Sequence, residues 1–145
     1  MGKIKITGII NNKKYATVVD NWLICYQNKC GVGIHRPLLE CSNYPGIFAL
    51  AEEILVGGLT LNIHNDWIFL HCGFVLPEYR GMGIYKEMLL SLADLAGAEG
   101  LSGIFTSTYS FEAPALYERL GFIKGSVMPD CPKGNTSIDY YKLIQ

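Results

Sequence analysis

Residues 75–90, VLPEYRGMGIYKEMLL, carry an apolar stretch into a glycine-spaced turn and then into an amphipathic helical pattern. Glycines at such a junction, here Gly81 and Gly83 behind Arg80, let backbone N–H groups approach a ligand closely. The helix start that follows offers unpaired donors and a favourable dipole, so a pyrophosphate suits the place. A glycine corner that merely turns the chain accounts for the same residues, and R-G-x-G alone does not separate the two readings. Upstream, His71 lies in the strand-like FLHCGFV. An imidazole of pKa about 6.5 suits a general base, and packing inside a strand pair accounts for it equally well. Its neighbour Cys72 invites a covalent mechanism, but strand alternation sends it to the opposite face, where it reads as packing.

Cys25, Cys30, His35 and Cys41 form a C-x4-C-x4-H-x5-C series loosely like a zinc knuckle. Structural zinc sites pair their first ligands at tighter spacing, and Cys25 falls in a helical pattern. Buried thiols acting as small hydrophobes are the preferred reading, and no metal is expected. Five cysteines without a secretion signal agree with reduced thiols and a cytoplasmic location.

The elements that must position these groups follow from the hydrophobic pattern. A chain of 145 residues, half of them hydrophobic and 17% charged, fits one domain spanning residues 1–145. Its net charge of −1 argues against nucleic acid as a partner, and no apolar run approaches the roughly 20 residues of a bilayer span. Ile4, Ile6 and Ile10 alternate with polar residues as a strand. Tyr15, Val18, Val19, Trp22, Leu23 and Tyr26 then fall at helical spacing, with Gly31 and Gly33 as stop signals. Residues 34–46 read as a loop with room for one short helix. IFALAEE, ILVGGLTLNIH and WIFLHCGFV read as an antiparallel meander turning at Glu52–Glu53 and Asn65–Asp66. After the glycine turn, Ile84, Met88, Leu89, Leu92, Leu95 and Ala96 form a helical stripe. GIFTSTY returns as a strand parallel to 67–76. A short helix in EAPALYERLGF stops at Gly121, and two final strands, FIKGSVM and IDYYKLI, close the chain. In a mixed sheet of this kind ligands gather at the carboxyl ends of the central strands, where the glycine turn lies.

With these elements in place, two motifs carry a resemblance. Arg80-x-x-Gly83-x-Tyr85 resembles the Gln/Arg-x-x-Gly-x-Gly/Ala acetyl-CoA motif of the GNAT superfamily of N-acetyltransferases. Ala113, Leu116, Tyr117, Gly121 and Phe122 match its Ala-x-x-Leu/Phe-Tyr-x-x-x-Gly-Phe helix. The text from TYSFEAPALYERLGF onward is similar to a small bacterial branch, and the likeness covers about residues 47–145. The resemblance implies an α/β (α+β) fold with a mixed, mostly antiparallel seven-stranded sheet, a splayed central parallel pair and three to four helices. It implies transfer of an acetyl group from acetyl-CoA to a primary amine by direct attack on the thioester.

The resemblance also assigns roles. Tyr117 becomes the candidate acid for the departing thiolate and His71 the candidate base, with Glu112 and Asp66 behind it. Phe74 and Val75 lend backbone groups to the pantetheine arm, and Gly81, Met82, Gly83, Ile84 and Tyr85 grip the pyrophosphate. Arg80 takes a smaller part. Tyr85 stands where Gly or Ala is usual, and Ser110 stands where many members carry Asn, to bond the cofactor or anchor the helix. A homodimer, a protein lysine or N-terminus as acceptor, and a non-catalytic CoA-binding module all stay open.

Overall fold

The computed structural model describes residues 3–30 and 35–144, so Gly31 and Gly33, expected to stop the first helix, lie outside the described residues. The elements run β1 (Ile4–Ile6), α1 (Lys13–Cys30), β2 (Gly46–Ala51), β3 (Ile54–His64), β4 (Trp67–Val75), α2 (Ile84–Ala98), β5 (Gly103–Tyr109), α3 (Pro114–Arg119), β6 (Ile123–Pro129) and β7 (Thr136–Leu143). All seven strands join one sheet in the order β1-β2-β3-β4-β5-β7-β6, in which only β4 and β5 are parallel. The meander, the parallel return and the short third helix fall where the sequence places them. Residues 35–45 hold no helix.

Alternation along the strands divides the interior into two layers. Ile47, Ala49, Ala51, Leu59, Leu61, Ile68 and Leu70 pack with Ile84, Met88, Leu89, Leu92 and Ala96 of α2. On the opposite face, Phe48 and Cys72 pack with Ala16 and Val19 of α1. A wholly buried side chain such as Leu92 contributes about 1.5–3 kcal/mol by leaving water. The buried line of α1 is Ala16, Val19, Asp20, Ile24 and Gln27, rotated from the expected Tyr15–Tyr26 stripe, whose aromatics are half-buried flanks. Two polar residues therefore sit in the apolar seam of that helix.

The β2–β3 hairpin turns on two residues, Glu52 and Glu53, with φ of +48° and +71°. Both are left-handed, as a type I′ turn requires, and such a conformation costs a side-chain-bearing residue about 1–2 kcal/mol. Replacing the pair with Asn-Gly is expected to raise stability by about 1–2 kcal/mol in denaturant melts. A stability left unchanged would refute this account of the turn.

Candidate active site

β4 and β5 pair only from Trp67 opposite Gly103 to Leu70 opposite Thr106. The Thr106 hydroxyl donates to the Leu70 carbonyl (3.0 Å) where the ladder ends, and beyond it the strands diverge. A cleft of about 870 Å³ occupies the gap between α1, the glycine turn and α3. Leu76 N–H donates to Val56 O (2.9 Å), so Cys72 and Phe74 also turn their backbone groups toward β3. Those of Gly73 and Val75 turn the other way, into the splay. The free backbone beside the splay is therefore that of Gly73 and not the expected Phe74, whose ring lies on the cleft wall against Trp22 and Tyr26. The Val75 carbonyl already accepts from Arg80 Nε at 2.9 Å. A free peptide edge thus remains at Gly73 and at the Val75 N–H.

At the turn, Gly81 and Gly83 have φ of +82° and +79°, and a Cβ on either would meet nothing within 4 Å. Conformation rather than crowding demands these glycines, and the space above them is open. Gly83 precedes α2 and its carbonyl accepts from Glu87 N–H (2.9 Å), so the N–H groups of Ile84, Tyr85 and Lys86 begin the helix unpaired. Gly81, Gly83, Ile84 and Tyr85 line the cleft. Met82 does not line it and lies 42% exposed.

Arg80 and Ser110, both expected at the cofactor, also bond within the protein, and of the two only Arg80 lines the cleft. The Arg80 guanidinium folds back over the Phe74 ring, 5.0 Å from its centroid, and ties the glycine turn to β4. Ser110 lies off the cleft, where its hydroxyl accepts from Thr136 N–H (3.0 Å) and anchors the start of β7.

Tyr117, on α3, is nearly buried between the stacked Tyr140 ring and the edge of Phe122. Burial pushes its phenol up to about 12, so it is protonated throughout the neutral range. Its Oη lies 2.7 Å from the Oη of Tyr85, and the two rings meet edge-on at 83°. Tyr85 therefore points away from the turn, into the base of the splay, and its hydroxyl occupies the space over Gly73. A Cβ at position 73 would collide with it.

On the α1 side a β-bulge interrupts the β3–β4 register, with Thr60 opposite Cys72 and Leu61 opposite Leu70. His71 is the extra residue, and the bulge turns both His71 and Cys72 toward α1. The expectation that they face opposite ways fails for this reason. Cys72 is nonetheless packing: it is buried, its Sγ approaches Val19 O (3.7 Å), and burial raises its thiol well above the usual range. Cys25, Cys30 and Cys41 are exposed, against the expectation of buried thiols. Among the described residues no cluster of three His, Cys, Asp or Glu side chains is placed to hold a metal ion.

His71 Nε2 lies 3.8 Å from Asp20 Oδ2, and the Tyr44 ring covers the imidazole at 4.4 Å between centroids. Burial lowers the imidazole pKa, Asp20 opposes that and Arg36 reinforces it, so His71 is neutral at pH 7. Asp20 is 2% exposed; Oδ1 accepts from the Thr60 hydroxyl (2.7 Å), and Oδ2 has no hydrogen-bond partner. Sequence reasoning passed over Asp20, although a carboxylate in an apolar helical seam is a signal that could have found it. Glu112, on the cleft wall, accepts from the Thr108 hydroxyl, Tyr109 N–H and Gln27, and closes the β5–α3 loop. Asp66 bonds Ser102 at the far end of the sheet and is remote from the cleft.

The segment 35–45 walls the outer side. Asn21 and Asn28, two turns apart on α1, each exchange a pair of hydrogen bonds with a backbone residue, Leu39 and Arg36 respectively. Leu39 and Arg36 are thereby brought onto the cleft wall beside His71 and Phe69.

The family model described as "Acetyltransferase (GNAT) family" matches residues 16–122. A blasticidin-S acetyltransferase of Streptomyces morookaense is 31% identical over 84 residues, which are 57% of this chain and 62% of that relative. The match therefore spans less than two thirds of that relative's length. An aminoglycoside 6′-N-acetyltransferase complexed with coenzyme A superposes with a TM-score of 0.75 at 16% identity, over 97% of both chains. The ribosomal-protein-S18-alanine N-acetyltransferase of Escherichia coli superposes at 0.72, with 14% identity over 99% of this chain and 95% of the other. At these identities the superpositions establish the shared fold.

Proposed function

Because this chain belongs to the acetyltransferase (GNAT) family, we propose that it moves an acetyl group from acetyl-CoA to the primary amine of a small acceptor. The observation that carries this reading is the splayed β4–β5 pair, which leaves a free peptide edge at Gly73 and the Val75 N–H in the cleft that the start of α2 also lines. That edge suits the amide-bearing pantetheine arm. The unpaired N–H groups of Ile84, Tyr85 and Lys86, under open space at Gly81 and Gly83, suit the pyrophosphate. Acetyl-CoA supplies an activated acyl group on a thiol leaving group.

The chain's own residues then do three things. His71, neutral and on the wall away from the turn, takes a proton from the acceptor ammonium or from the amine as it attacks. Asp20 lies behind it and favours the tautomer with the proton on Nε2, which leaves the Nδ1 lone pair free. It also stabilises the imidazolium once formed. Tyr117 keeps its proton at neutral pH and donates toward the sulfur.

The segment 35–45, clasped along α1, encloses the acceptor side, which favours a small molecule over a protein tail. The test is release of free thiol from acetyl-CoA with a panel of alkylamines, amino sugars and short peptides. Thiol release with small amines supports the reading. Turnover of peptides alone overturns the acceptor class. Coenzyme A binding without thiol release from any acceptor overturns the enzymatic reading.

A further inference from the structure

Tyr85 breaks the Gly/Ala pattern of the turn motif, yet the chain is built around it. Gly73, directly beneath on β4, leaves out the Cβ that would occupy the place of the Tyr85 hydroxyl. That hydroxyl lies inside the protein, 2.7 Å from Tyr117 Oη, and has no other hydrogen-bond partner among the described residues. Either hydroxyl can donate in this pair, and the arrangement that leaves a Tyr117 proton for the cleft is the one in which Tyr85 donates to the Tyr117 oxygen. The direction of that bond fixes the other proton. With its oxygen accepting from Tyr85, Tyr117 turns its own O–H toward the cleft that both residues line.

We propose that Tyr85 is a positioning residue for the leaving-group step, holding the Tyr117 hydroxyl with its proton aimed at the sulfur and stabilising the phenolate left behind. The proposal rests on the role given to Tyr117 above. As the amine nitrogen bonds to the acyl carbon, the C–S bond breaks and its electron pair stays on sulfur. Sulfur takes the Tyr117 proton, and Tyr85 O–H then donates to the Tyr117 phenolate. The proton lost by the amine to His71 equals in number the one Tyr117 gave, and solvent exchange restores both groups. A phenol held near 12 gives its proton to a thiolate of ordinary pKa, about 8.5, only with help, because the phenol is the weaker acid. The Tyr85 hydrogen bond is already part of what holds the phenol no higher than this, because it favours the ionised form of its partner, and its loss would push the phenol further up.

The test compares Tyr85→Phe, Gly73→Ala and Tyr117→Phe, using acetyl-CoA and its selenoester analogue as donors. A selenolate is a much better leaving group and needs little proton donation. Tyr85→Phe is expected to lower kcat with acetyl-CoA by about 10- to 10²-fold, with the KM for acetyl-CoA within about twofold. With the selenoester the deficit should shrink toward unity. Gly73→Ala, which displaces the Tyr85 hydroxyl without removing it, should produce a similar pattern. An equal deficit with both donors would make Tyr85 merely structural and overturn the proposal. Full activity in Tyr85→Phe beside a large loss in Tyr117→Phe overturns it while leaving the role of Tyr117 intact. Activity unaffected by Tyr117→Phe defeats the reading on which both rest. Melting temperatures and coenzyme A affinities measured on each variant identify any that fail to fold.

Discussion

Tyr117→Phe is expected to lower kcat by about 10²–10⁴-fold while leaving the affinity for coenzyme A nearly unchanged. The expectation comes from geometry before chemistry. The ring is held by Tyr140 on its face and Phe122 at its edge, and Phe can keep both contacts. Only the oxygen is lost, together with its hydrogen bond to Tyr85, at a cost of about 1 kcal/mol in stability. A loss of two orders or more in turnover is far larger than such a change in folding can explain. The wild-type phenol, at about 12, also predicts that Tyr117 imposes no alkaline limb on the rate between pH 7 and 9. Steady-state kinetics beside a thermal melt decide the matter: kcat within threefold of wild type would remove Tyr117 from the chemistry.

The glycine turn, the meander and the helix carrying Tyr117 were legible because each is specified over a short stretch. Left-handed backbone needs Gly81 and Gly83, a two-residue turn needs Asn65–Asp66, and the α2 stripe from Ile84 to Ala96 has helical spacing. What escaped depends on contacts between distant segments. The bulge that turns His71 and Cys72 to one face arises in the pairing of β3 with β4, and strand alternation within β4 cannot reveal it. The direction of Tyr85 is set by the missing side chain at Gly73, twelve residues away on another element. Arg80, within the turn motif, and Ser110, at a position that is often Asn, are expected at the cofactor, and the motifs do not reveal that each also bonds protein backbone, at Val75 and Thr136. Asp20 was lost for a different reason. The apolar pattern points to a stripe through Tyr15, Val18, Val19, Trp22, Leu23 and Tyr26, and the buried line lies one position around the helix, through Asp20 and Gln27.

Asp20 is also where stability and chemistry should part. A buried carboxylate with one oxygen lacking a hydrogen bond is destabilising, so Asp20→Asn, whose amide oxygen can still accept from Thr60, is expected to leave stability equal or raise it by about 1 kcal/mol. The same variant should slow the reaction about tenfold or more, because the imidazolium formed at His71 loses its counter-charge. The pH profile carries the sign. Burial lowers the His71 pKa and Asp20 raises it, with burial the larger, so kcat/KM in the wild type should fall on the acid side, below the ordinary imidazole range, as His71 becomes protonated. Removing the Asp20 charge removes the raising influence, and the acid limb should move to still lower pH. His71→Gln should lower kcat/KM by about 10²-fold or more and abolish that limb. An acid limb that persists in His71→Gln assigns the proton to another group. An Asp20→Asn variant that is less stable, equally fast and unshifted in pH makes Asp20 a packing residue. A more stable, slower enzyme with a displaced limb has only one physical explanation: a charge kept in the core, at a cost to folding, for what it does to the histidine beside it.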